Sequence, residues 1–305
     1  MHLSIITSTY NSSETINGFF SKLNSSIKEL KLNDYEIIVV DDGSTDNTIK
    51  NLTDLKKNNE KIKIVELSRN FGHHKALLTG IKVSIGDYTF LIDSDLEEDP
   101  SNLTLFYNKI TKSENDMIFG IQEIRKAEFF KNLTGSFFYK FFNVLSTLKI
   151  PQDVMTITIF NKKIKEAIKL YDETEIFLHG ILHTVGFSKE SVVIKKGYKG
   201  KSHYNIIKKI DLFTEAIASF SSLPLKLLFL LGFFITFFSS VYIIWLLLIK
   251  IINKTAILPG FTTIMISITF FGGLIISAIG ILGIYLSKTY LEIKRRPQVI
   301  IKKIH

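Results

Sequence analysis

The sequence predicts an α/β protein. A doubly wound, mostly parallel sheet occupies residues 1–222, a two-helix transmembrane hairpin 223–288, and a basic tail 289–305. Three observations carry this. Short Ile- and Val-rich runs alternate with amphipathic stretches through the first part. Those runs are continuously apolar, as in strands covered on both faces. Two later stretches, 227–249 and 261–286, contain no charged residue. Each is long enough to cross a hydrocarbon core of about 30 Å as a helix. A pair of buried core helices is the plainer alternative, but a soluble domain rarely holds two such runs.

The elements follow in order. "LSIITST" (3–9), "YEIIVV" (35–40), "KIKIVEL" (61–67) and "DYTFLID" (87–93) read as strands. The stretches between them, 13–31, 46–58 and 72–85, read as helices. This alternation implies right-handed crossovers. Sheets of this kind bind ligands beyond the carboxyl ends of their strands. The polar residues stand at those ends: Tyr10 and Asn11, then Asp41 and Asp42, then Ser68, Arg69 and Asn70, then Asp93 and Asp95.

In "VVDDGSTDNT" (39–48), a capped turn accounts for Gly43 to Asp46. It does not account for adjacent Asp41 and Asp42. A carboxylate buried there can accept from a base N–H or a ribose hydroxyl. In "DSDLEED" five carboxylates fall within seven positions, 93–99, of a chain whose net charge is +9. A solvated loop is one reading. The other is that Asp93 and Asp95, two apart in an extended segment, face one hard cation together. In "LSRNFGHHKALLTG" (67–80), Arg69 and Asn70 lie in a loop and Lys75 one turn into a helix. The first turn of that helix can meet an anion. His73 and His74 are adjacent, so a cap or polar contact suits them better than one shared metal.

Residues 189–209 hold seven lysines and one acid. Such a patch is a solvated surface or an anion-binding face. Beside a membrane hairpin, lipid phosphate explains it more economically than nucleic acid. The stretches 129–148 and 205–222 suit the membrane interface, the second as a juxtamembrane amphipathic helix. For 129–148 a buried core helix is the competing reading. The spans are expected near 225–250 and 261–286, joined by a turn with Pro259 and Gly260. Lys294, Arg295, Arg296, Lys302 and Lys303 place the tail, and with it the large domain, on the cytoplasmic side of an inner or plasma membrane. Lys250 and Lys254 in the turn weaken that contrast without reversing it. Gly272, Gly273, Gly280 and Gly283 give the second span a small-residue face suited to packing in a homo-oligomer. There is no cysteine, hence no disulfide and no thiolate metal site. The first residues, "MHLSIITSTY", read as a strand rather than a signal peptide.

"DDGSTDNT", "LSRNFGHHKALLTG" and "DSDLEEDP", in this order and spacing, resemble family 2 glycosyltransferases of GT-A fold. With "SHYNIIKKI…IASFSSLPL" and "GIYLSKTYLEIKRRP", the chain resembles more narrowly the dolichol-phosphate mannose synthase and polyprenyl-phosphate glycosyltransferase group. The resemblance implies a nucleotide-sugar donor (UDP-, GDP- or dTDP-linked), Mg²⁺ or Mn²⁺, a polyprenyl phosphate acceptor and inversion at the anomeric carbon. It implies that Tyr10, Asp41, Asp42 and Asp93 contact the nucleoside and that Asp95 binds the metal, with Asp93 beside it. Arg69 and Lys75 would sit near the donor, and Glu14 would match an acid of the first motif. Two departures stand out. Thr156 and Thr158 stand where the group often carries Asp and Arg, with Asp153 three residues off register. The basic segment lacks an Arg before Gly-x-Ser, leaving Lys196, Lys199, Lys201 and Ser202 for a lipid phosphate. Asp153, Asp172, Glu173 and Glu175 are the candidate bases for a hydroxyl acceptor, with Asp153 and Glu175 foremost. Transfer to a hydroxyl of a lipid-linked glycan, and a catalytically silent membrane scaffold, are the competing functions.

Overall fold

The computed structural model describes residues 2–123, 154–173, 176–195, 197, scattered positions between 225 and 241, and 260–305. It forms two compact units. One holds the sheet and includes 295–305; the other contains 206–294.

The sheet domain begins with a run of βα units: β1 (Leu3–Thr9), α1 (Ile16–Glu29), β2 (Tyr35–Asp41), α2 (Thr48–Lys57), β3 (Ile62–Leu67), α3 (His73–Val83), β4 (Tyr88–Leu91) and α4 (Asn102–Lys112). It continues with β5 (Met117–Gln122), β6 (Val154–Asn161), α5 (Lys162–Lys169), α6 (Leu178–Thr184) and β7 (Lys189–Ile194), and adds β8 (Ile301–Ile304). The strand order is β7-β5-β6-β4-β1-β2-β3-β8. The centre, β4-β1-β2-β3, is parallel as predicted. The flanks are mixed: β6 runs antiparallel to both β4 and β5, and β8 antiparallel to β3. "Mostly parallel" is therefore corrected to a mixed sheet with a parallel heart.

The continuous apolar strands follow from two cores, one on each face. Leu3, Ile5, Ile37 and Val39 pack with Phe19, Phe20 and Phe106 on the α1 and α4 side. Ile6, Ile38 and Val40 pack with Leu77, Leu78 and Ile81 on the α3 side. Alternate apolar residues of one strand thus enter opposite cores.

A buried polar clasp ties the turn before β4 to β1 and β2. Ser4 Oγ donates to Glu36 Oε1 at 2.6 Å, Ile85 N–H donates to the same oxygen at 2.8 Å, and Gly86 N–H donates to Ser4 Oγ at 2.9 Å. Lys165 Nζ donates to the Gly86 carbonyl. Glu36→Ala would strand the Ser4 hydroxyl and the Ile85 N–H, and we expect a loss of about 2–3 kcal/mol, read from thermal or urea melts. A loss below about 0.5 kcal/mol would show that the clasp contributes little.

In the second unit a 33-residue helix, α7 (Phe261–Ile293), carries one segment long and apolar enough to cross a membrane, Leu274–Ile293. Ile268, Ile276, Ile279 and Leu286 are exposed along it. The helix runs seven residues past the predicted end of the second span at 286. The described positions of the predicted first span are helical, and Leu227, Phe234 and Phe238 among them have exposed side chains. The rest of that span, and both interfacial stretches at 129–148 and 205–222, lie outside the described residues. Far from trailing as a basic tail alone, 301–304 form the outermost strand beside β3.

Candidate functional site

The loops after β1, β2, β3 and β4 interlock at one rim of the sheet. Asn11, held at φ 48°, receives a hydrogen bond on its Oδ1 from Thr45 N–H at 2.9 Å and donates its own N–H to Ser44 Oγ at 2.9 Å. Gly43 has φ 74° and lies against the Arg69 and Asn70 backbone. Asp42, buried at the end of β2, uses both oxygens on the next loop: Phe71 N–H donates to one at 2.7 Å and Gly72 N–H to the other at 2.9 Å. Ser94 Oγ donates to the Ser8 carbonyl at 2.8 Å.

Asp41 differs from its neighbour. Ser44 N–H donates to its Oδ2 at 3.0 Å. Its Oδ1 is buried with no hydrogen-bond partner. Burial pushes this carboxyl above its usual range, partly offset by the Ser44 hydrogen bonds. An acceptor that is buried and unsatisfied costs roughly 1–3 kcal/mol, which a ligand N–H or O–H would relieve. Tyr10 directly follows the neighbouring strand β1, its side chain half exposed. Arg69 is exposed, its guanidinium 4.5 Å from the centre of the Phe71 ring. Lys75 lies in the first turn of α3, and Glu14 is exposed ahead of α1.

The acidic cluster divides its labour. Glu98 is buried; its oxygens accept from Asp93 N–H at 3.2 Å and Ile157 N–H at 3.1 Å, so it braces β6 against the loop. Burial and the neighbouring Asp93 push its carboxyl well up. Asp99 pairs with Lys22 at 3.0 Å and accepts from Ser101 N–H ahead of α4. Asp93 and Asp95 are part-buried in the loop after β4. They do not share an extended segment: the chain turns at 94–95 and Leu96 takes φ 67°. The strand alternation expected from the sequence, which would have aligned these two carboxylates, is therefore not the geometry found. Asp95 Oδ1 accepts from Glu97 N–H at 3.0 Å. Asp93 accepts from Thr156 Oγ1 at 2.9 Å and meets His73 Nε2 at 3.2 Å, while His73 Nδ1 meets Ser8 Oγ at 2.7 Å. No preformed cluster of three or more metal-ligating side chains occurs among the described residues. Two hard carboxylates at the strand ends suit a cation completed by donor phosphate oxygens rather than a protein cage.

Sequence reasoning missed His73 as a partner of Asp93 and Glu98 as a brace. Thr156, noted only as a departure, joins β6 to the same network. Its place in β6, just beyond the residues paired with β4, was the absent signal. Asp153, Glu175, Lys196, Lys199, Lys201 and Ser202 lie outside the described residues. Gly197 donates its N–H to the Glu97 carbonyl at 2.7 Å, so the start of the basic segment reaches the acidic loop.

Behind the rim lie three further imidazoles. His74 contacts His179 edge-on, with centroids 5.5 Å apart, and His183 packs on Phe119 at 4.9 Å. Burial pulls His74 down to about 3 and His179 and His183 to about 4. Both ring nitrogens of His183 are buried without partners. Folded-state values below the unfolded value of about 6.5 mean stability present above that pH and lost as pH falls toward 4. A pKa lowered by one corresponds to about 1.4 kcal/mol. His183→Phe should therefore flatten the fall in melting temperature between about pH 6.5 and 4. Parallel curves for the two proteins would rule out His183 as a source of the acid sensitivity.

A parallel sheet with carboxylates at its strand ends and antiparallel flanking strands, in this order, is the GT-A arrangement of glycosyltransferases. At the level of fold, mannosyl-3-phosphoglycerate synthase from Rubrobacter xylanophilus is similar, with TM-score 0.50 and 14% identity over 72% of this chain and 73% of that one. The chain belongs to glycosyl transferase family 2, whose model matches residues 4–169, and is an enzyme of that family. It is 33% identical to an uncharacterized glycosyltransferase of Synechocystis, over 100% of this chain and 96% of that protein. It is 31% identical to the bactoprenol glucosyl transferase of Shigella phage SfII, over 100% of this chain and 99% of that one.

Proposed function

We propose that this chain is a membrane-anchored, inverting glycosyltransferase. It moves one sugar from a nucleotide-sugar to polyprenyl phosphate on the cytoplasmic leaflet, for surface-glycan or envelope assembly. The observation that carries the donor half is the buried, unpartnered Oδ1 of Asp41 at the end of β2. It suits a base N–H, with Tyr10 beside it and Arg69 toward the phosphates. The acceptor half is supported by full-length similarity to a protein named a bactoprenol glucosyl transferase. Anchoring is supported by the exposed apolar side chains of α7 and of the described positions of the first span.

Asp95, with Asp93, would hold Mg²⁺ or Mn²⁺, which when bound supplies charge stabilisation for the departing nucleotide diphosphate. The chain's own groups do the rest. Thr156 and His73 fix the Asp93 carboxylate, Asp42 holds the loop that carries Arg69, and Glu98 braces the acidic turn. A lipid phosphate is already anionic at neutral pH, so its attack on the anomeric carbon needs no general base. That accommodates threonine at 156. Lys196, Lys199, Lys201 and Ser202 would bind the phosphate, and Asp153 or Glu175 would matter only for a hydroxyl acceptor.

A donor screen tests this. The full chain in detergent is offered UDP-, GDP- and dTDP-sugars with Mg²⁺ or Mn²⁺ and a short polyprenyl phosphate. Metal-dependent formation of a sugar-phospholipid is the expected result. Donor hydrolysis without lipid product would move the acceptor to a glycan hydroxyl. No donor binding would favour the silent scaffold.

A further inference from the structure

The sheet's last strand comes from the chain just beyond α7, and its charges converge on the donor end of β2. Ser68 N–H donates to the Ile300 carbonyl at 2.9 Å, Ile64 and His305 exchange backbone hydrogen bonds, and Val299 packs against the α3-side core. On this strand Lys302 Nζ lies 2.5 Å from Glu66 Oε1, and His305 Nε2 lies 3.2 Å from Glu66 Oε2. Glu66 is in register with Asp41 across the parallel β3–β2 pair. Registered residues of neighbouring strands share a face, so the two carboxylates are side by side.

We propose that Lys302, assisted by His305, is a positioning residue for the nucleotide donor: it neutralises Glu66 so that Asp41 can receive the nucleoside and an anionic diphosphate can approach. The proposal rests on the donor reading given above. The balance of charge supports it. Without the strand, two carboxylates would stand together at the mouth meant for a polyanion. With it, one is paired. The Lys302 hydrogen bond holds Glu66 below the usual carboxylate range, and Glu66 in turn raises Lys302. Glu66 also pushes Asp41 upward, beyond the larger effect of burial. No other ion pair to Glu66 occurs among the described residues.

The test uses the full chain in detergent and calorimetric titration with UDP, GDP and dTDP at low and high salt. Lys302→Met should weaken the nucleotide that binds by about three- to tenfold at low salt, and less at high salt, as screening of a nearby unpaired charge requires. Glu66→Gln alone should bind about as the wild type does. Adding Glu66→Gln to Lys302→Met should restore affinity, because the unpaired charge is then gone. Restored binding is not what a purely structural strand contact would give, since the second change removes what remains of that contact. Equal affinity in Lys302→Met and wild type would overturn the proposal. So would a loss that Glu66→Gln does not rescue and that tracks a lower melting temperature. If the wild type binds none of the three nucleotides, the donor reading itself fails, and this inference with it.

Discussion

Replacing Asp95 by asparagine should lower turnover about 10²–10³-fold, the range seen when one group stabilising transition-state charge is removed, while the fold stays intact. Asp95 sits at the turn after β4, and its Oδ1 accepts from Glu97 N–H. Asparagine keeps that oxygen, so the turn has no reason to change. What it loses is the charge. A hard divalent ion bound by one or two carboxylates and phosphate oxygens depends on that charge. The variant should therefore melt as the wild type does without metal. The rise in melting temperature that Mn²⁺ plus nucleotide gives the wild type should be absent from it. An Asp95→Asn protein with near-normal turnover would take the metal role away from this residue.

Gly43→Ala should be the most damaging small substitution in the rim. A methyl group there would lie 2.4 Å from the Arg69 carbonyl carbon and 2.7 Å from the Arg69 Cα and the Asn70 nitrogen. These are backbone atoms and cannot swing aside. Nor can the loop retreat freely, because Asp42 holds Phe71 and Gly72 by their N–H groups. The positive φ of 74° adds about 1–2 kcal/mol for any residue with a Cβ. With overpacking included, we expect a loss of about 3 kcal/mol or more and a marked drop in donor affinity as Arg69 is displaced. Gly72 supplies the internal control. It has φ 102°, but a methyl group added there would meet nothing within 4 Å, so Gly72→Ala carries strain alone. Equal damage from both variants would mean that strain, and not the contact with the Arg69 backbone, governs this loop.

The parallel heart of the fold was legible because each of its strands buries both faces and each helix has a clear apolar side. Bounds for β1 to α3 fall within three residues of those read from periodicity. The flanks were less legible. β5, β6 and β7 pair by long-range antiparallel and parallel contacts that no local period encodes. β8, "IKKI", is short, exposed and half basic, and it reads as a tail because its partner is far away in the chain. At the site, position told which carboxylates lie at strand ends. It did not tell that Asp42 and Glu98 spend their oxygens on backbone N–H groups, leaving Asp41 with an unsatisfied one. That sorting depends on a left-handed Leu96 and on loops meeting across the rim.

The distance along the chain between β3 and β8 has its own consequence. Lys302 and Glu66 are 236 positions apart, with the apolar helix α7 between them. On the ribosome, the outer edge of β3 emerges early and waits unpaired while everything up to 301 is made. An open strand edge invites the wrong neighbour. Completion of the sheet therefore has to wait for the last strand to be made, 236 positions after its partner.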